Sequence, residues 1–142
     1  MKRLIYSIVA IAIMATAVTS CKKYEDGPSL SLRTKKARLC GDWKIEKVLY
    51  NGGDSTAVFT AFLGANFGFD IEKDGKYKIT GASTDDGTWS LGEDKDDVTF
   101  KSSQAGSTDD TYRILKLKNK ELWWKQTQAN GDVIEFHFVP QD

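Results

Sequence analysis

The sequence predicts an all-β domain, most simply a small antiparallel up-and-down barrel of about eight strands, with a β-sandwich as the alternative. Three observations carry this. Apolar and polar residues alternate at period two along most of the chain after residue 42, the signature of strands with one buried face. Short turn signals, Asn51-Gly52-Gly53, Asp74-Gly75 and Asn130-Gly131, separate these stretches. The aromatic residues, four Trp, five Tyr and seven Phe, fall mostly on the alternating segments, where they can fill an interior.

The elements follow in order. Lys2-Arg3 and the apolar run Leu4 to Ala17 form a cationic start and a hydrophobic stretch too short to span a bilayer, as in a secretory signal. Val18-Thr19-Ser20-Cys21 closes it with small residues before a cysteine. This resembles the lipobox of bacterial lipoproteins, which implies cleavage before Cys21, a diacylglyceryl group on its sulfur and commonly acylation of the new amino group. The expected organisation is a signal peptide at 1–20, a lipidated N-terminus and polar tether at 21–38, and one β-domain at 39–142. Two or three acyl chains hold a protein stably on a membrane, at about 0.8 kcal/mol per buried methylene. Lys22 follows the cysteine where, in enteric lipoproteins, aspartate favours inner-membrane retention. The resemblance therefore implies a lipid-anchored protein of the cell outer membrane, on its periplasmic or its surface face.

Within the domain, Trp43, Ile45 and Leu49 alternate to Tyr50, with the period broken at Lys47-Val48. From Asp54 to Gly64, Val58, Phe59, Phe62 and Leu63 recur at helical spacing, so a short helix and a ragged strand both fit. Phe67, Phe69 and Ile71 lead through Lys73-Asp74-Gly75-Lys76 into Tyr77 and Ile79, the clearest hairpin. Strands follow around Trp89 and Leu91, Val98 and Phe100, Tyr112 to Leu117 with a phase change that fits a bulge or two covered faces, Leu122 to Gln126, and Ile134 to Phe138 before Pro140.

After removal of residues 1–20 the remaining chain, tether and domain together, carries 18 basic and 20 acidic side chains, a net −2 that gives nucleic acid no foothold. Cys40, the other cysteine, reads as a small buried hydrophobe. The single histidine, His137, sits two residues from Glu135 on what reads as a solvated strand face, with no nucleophile motif beside it, so no catalytic residues are expected and the chain does not read as an enzyme. The acidic pairs Asp85-Asp86, Asp96-Asp97 and Asp109-Asp110, with Asp94, lack the spacing of a calcium loop and read as turn residues, so neither a metal nor a cofactor is expected.

Gly41-Asp42-Trp43 at the first strand, followed by a run of hairpins, resembles the G-x-W opening of lipocalins and of lipocalin-like domains in small bacterial lipoproteins. The strand pattern extends that resemblance over Leu39 to Pro140. In lipocalins the tryptophan closes one barrel end beneath a late-strand arginine, a role that the resemblance gives here to Lys125 or Arg113, while Asp109-Asp110-Thr111-Tyr112 approximates the threonine-aspartate-tyrosine motif. What it implies is binding of a small hydrophobic ligand inside the barrel, with Trp43, Phe67, Phe69, Tyr77, Trp89, Phe100, Trp124 and Phe136 as candidate lining; Phe138 shares their face. The alternative is an envelope interaction protein with a filled barrel, meeting a partner through surface groups such as Trp123, which must face outward if Trp124 faces in.

Overall fold

The computed structural model describes residues 33–141, and Cys21, the leader and most of the tether lie outside them. Eight antiparallel strands form a closed barrel: β1 (Gly41–Tyr50), β3 (Gly68–Ile71), β4 (Lys76–Thr80), β5 (Asp85–Leu91), β6 (Asp97–Ser102), β7 (Asp110–Leu117), β8 (Leu122–Thr127) and β9 (Val133–Pro140) pair in that order. Pairing of β1 with β9, from Trp43↔Pro140 to Tyr50↔Ile134, closes the ring and excludes a sandwich. A two-residue strand β2 (Gly53–Asp54) folds back on the end of β1. Asn51 and Gly52 make that reversal with φ of 49° and 82°, the left-handed pair that a two-residue hairpin needs.

Both sequence irregularities are register shifts. The break at Lys47-Val48 is a bulge between Ile45 and Lys47. The phase change in β7 is another between Ile114 and Lys116, which lets Tyr112, Ile114 and Leu117 all serve the interior. Between β2 and β3 the ambiguous stretch is a helix, α2 (Thr56–Leu63). Asp54 accepts from the Thr56 backbone N–H at 3.0 Å, and Gly64 ends the helix at φ 96°. Among the described residues no helix is long and apolar enough to cross a membrane.

The two ends of the barrel are built differently. At the end holding the start of β1 and the β3–β4, β5–β6 and β7–β8 turns lies a second helix, α1 (Lys35–Leu39), capped by the Thr34 hydroxyl on the Ala37 N–H at 3.1 Å. The fold thus reaches upstream of residue 39, where the sequence reading began the domain. Leu39 is 0% exposed within the core, and its carbonyl accepts from the Trp43 indole at 2.9 Å. Neither Lys125 nor Arg113 caps Trp43. Arg113 is drawn outside to Asp97, Asp96 and Asp94 at 3.5, 3.6 and 3.9 Å, and Lys125 pairs in register with Glu135 on the outer face. Closure falls instead to Leu39, while Arg38, from the preceding helix, donates to the Leu117 carbonyl at 2.9 Å. A short ion pair, Lys35 to Asp96 at 2.9 Å with both side chains largely buried, pins α1 to the β5–β6 turn. Asp96 is therefore more than the turn residue its spacing suggests.

Candidate functional site

Aromatic rings cross the barrel as one connected group. Phe69 meets Tyr77, Phe100 and Trp124 at centroid distances of 5.7, 4.9 and 5.6 Å, and Trp124 in turn meets Tyr112 at 5.1 Å and Phe138 at 4.9 Å. This contact network fills the middle of the barrel, as an eight-stranded ring permits.

Beyond it, at the end away from α1, the packing opens into an apolar pocket of about 150 Å³ lined by Leu63, Phe67, Phe69, Ile79, Tyr112, Trp124, Phe136 and Phe138. Helix α2 lies over this mouth. Its Phe59 ring meets Phe136 edge-on at 5.8 Å, and its last residue, Leu63, supplies a wall of the pocket. Two glycines hold the end of α2 there. The Ala82 N–H donates to the Leu63 carbonyl at 2.7 Å, an approach open only because a Cβ on Gly81, at φ 153°, would stand 2.5 Å from that same oxygen. A Cβ on Gly64 would likewise come within 2.8 Å of the Ala82 nitrogen.

Of the eight aromatic residues proposed from sequence, Phe67, Phe69, Trp124 and Phe136 surround this pocket. The other four do not line it. Trp43 and Trp89 are committed to the α1 end, with the Trp89 indole donating to the Glu72 carbonyl at 2.9 Å. Tyr77 and Phe100 are packed in the central ring group, and the Tyr77 hydroxyl donates to Asp85 at 2.7 Å. Alternation fixes which face a residue takes but not its height along the barrel, so these four were indistinguishable from the others. Sequence reasoning missed Ile79 and Tyr112 as lining, while Leu63 belongs to the stretch from Val58 near which the sequence reading opens the pocket. The run of Tyr112 and Ile114 in phase, ahead of the bulge, was the signal that could have added Tyr112.

Asp85 points inward near the same rim. Burial opposes its ionisation, but hydrogen bonds from Ser102 at 2.6 Å and from Tyr77 outweigh it, leaving the carboxyl below its ordinary range. Two larger clefts are exterior: one of about 390 Å³ over Asp42, Asp70, Lys78, Thr80 and Gln141, and one of about 370 Å³ beside α1 over Thr34, Lys36, Trp89 and Lys95. In the first, burial and then the neighbouring Asp42 push the Asp70 carboxyl upward. Among the described residues no group of three or more His, Cys, Asp or Glu is placed to hold a metal ion.

His137 is not on a solvated face. It is 8% exposed, lies flat against Trp123 at 3.9 Å with 3° between the rings, and meets Glu135 through Nε2 at 2.6 Å. The cause is register: Trp123 stands directly between His137 on β9 and Lys116 on β7, whose ammonium sits 3.9 Å from the indole centroid. Trp123 faces outward as alternation requires, yet its flanks are covered and its indole N–H is buried without a partner among the described residues. Cys40 is a half-buried thiol against the core, its pKa raised chiefly by burial.

Fold and pocket together define a closed eight-stranded antiparallel barrel, plugged at one end and open to a small apolar pocket at the other, compatible with a lipocalin-like fold. No protein-family model matches the chain, and no curated protein matches its sequence.

Proposed function

We propose that this protein is a lipid-anchored envelope module that binds a small apolar, ring-sized molecule at the barrel mouth and carries out no chemistry on it. The observation that carries the binding half is the pocket of about 150 Å³, walled by eight side chains of which seven are purely hydrocarbon or indole. An apolar pocket of that volume suits benzene-sized ligands, whereas drug-sized molecules need about 300 Å³ or more. The ligand class is accordingly smaller than sequence resemblance alone suggests. Titration of the purified protein with toluene, followed by ligand-observed NMR, tests it. Saturable binding is expected, and binding that is absent, or that survives Leu63→Trp unchanged, would refute it.

The anchoring half rests on the lipobox-like Val18-Thr19-Ser20-Cys21. The first described residue, Arg33, precedes α1 at the plugged end, and residues 22–32 can extend at most roughly 40 Å. An acyl group on Cys21 would keep the plugged end nearer the outer membrane and leave the mouth free to face the aqueous side. Cys21→Ser is expected to lose lipid labelling and fractionate with soluble protein.

A second reading, an envelope interaction protein, is favoured by a specific observation: Val58 and Phe62 on α2 are 70% and 80% exposed. Trp123, half-buried between Lys116 and His137, is a poorer anchor for a partner than these two. Site-specific crosslinking from position 62 in cells, capturing one defined protein, would favour this second reading.

A further inference from the structure

The two tyrosines inside the barrel differ in one respect that bears on what the mouth accepts. Tyr77 spends its hydroxyl proton on Asp85 at 2.7 Å. Tyr112 lies against Trp124, Phe100 and Phe136 at 5.1, 6.0 and 6.4 Å, and its hydroxyl has no hydrogen-bond partner among the described residues. It is also the one hydroxyl among the eight side chains that wall the pocket. A phenol beside hydrocarbon walls keeps a donor that no described side chain uses, and a hydrogen bond from it to a ligand contributes about 0.5–1.5 kcal/mol net. A ligand that supplies an acceptor at that point gains this bond, whereas a pure hydrocarbon of the same shape does not.

We propose that the mouth is selective for a small ring bearing one hydrogen-bond acceptor, with the Tyr112 hydroxyl as the donor that reads it. The inference rests on the apolar-pocket reading given above and narrows its ligand class. Burial, and secondarily the Asp110 carboxylate, raise the Tyr112 pKa well above the ordinary phenol value, so the hydroxyl stays protonated and able to donate throughout neutral and mildly alkaline pH. The pocket's remaining walls are Leu63, Ile79 and aromatic rings, which leave Tyr112 as the one hydroxyl able to meet an acceptor there.

The test compares toluene with benzonitrile, which share the ring and differ in the substituent, a methyl against a nitrile acceptor, on the wild-type protein and on Tyr112→Phe, with dissociation constants from ligand-observed NMR. One hydrogen bond of ordinary net strength predicts that Tyr112→Phe lowers the preference for benzonitrile over toluene by about three- to tenfold. A chemical denaturation curve with a wild-type-like cooperative transition checks that the variant is folded. Equal losses for both probes, or no loss for either, would overturn the acceptor preference while leaving the apolar pocket standing. Failure of both probes to bind the wild-type protein would overturn the pocket reading itself, and this proposal with it.

Discussion

At the plugged end of the barrel, Leu39, Trp43, Ile71 and Trp89 are buried together and every indole N–H finds a carbonyl; at the mouth, Phe67, Tyr112 and Phe136 are only partly buried, a pocket of about 150 Å³ remains, and the covering helix has no fully buried residue. The same kind of aromatic alternation built both. What differs is the cover. Helix α1 sends a leucine into the barrel and is held by an ion pair, whereas α2 crosses the rim with only Leu63 and Phe59 turned toward it. Stability should therefore be concentrated at one end and ligand access at the other, as expected where binding regions are drawn from the less stable parts of a fold.

The sharpest way to break this contrast is at the plug. Leu39→Ala removes a fully buried side chain and is expected to cost about 2–5 kcal/mol in chemical denaturation, while the folded fraction binds toluene as before. A cost below about 1 kcal/mol would mean that α1 is not part of the cooperative fold. At the mouth, Gly81→Ala drives a methyl to 2.5 Å from the Leu63 carbonyl and adds left-handed strain, so α2 must shift. About 1–3 kcal/mol of destabilisation is expected, this time with weakened toluene binding.

Acid should also act at the rim. Because hydrogen bonds hold the Asp85 carboxyl below its ordinary value near 3.8, its contribution is fully present above that pH and is lost as pH falls through the folded-state value. Asp85→Asn should accordingly flatten the acid limb of a stability profile below about pH 4. An unchanged limb would move the acid sensitivity to other carboxyls. Smallest of all, Phe62→Ser should leave denaturation unchanged within about 0.5 kcal/mol, since the side chain is 80% exposed. A larger loss would show that α2 packs more deeply than its exposure indicates.

Much of the barrel was legible because period-two alternation and three turn dipeptides are local signals. Even the bulge in β7 announced itself, through Leu115 and Leu117 falling out of phase with Tyr112 and Ile114. The site was legible only in part. Whether Trp89 or Phe136 meets a ligand depends on height along the barrel, which follows from strand tilt and register rather than from composition. The role of α1 was hidden as well, because Lys35-Lys36-Ala37-Arg38 reads as polar tether until its ion pair with Asp96, 61 residues away, is formed. His137 was misplaced for the same reason: its cover, Trp123, comes from the neighbouring strand.

The contrast between the two ends is tested most directly by xenon pressurisation of crystals of the protein, since xenon enters dry apolar voids and little else. A single xenon site at the mouth, among Phe69, Tyr112, Trp124 and Phe136, is expected, with none beside Leu39 and Trp43. No xenon inside the barrel, or xenon at the α1 end instead, would contradict it.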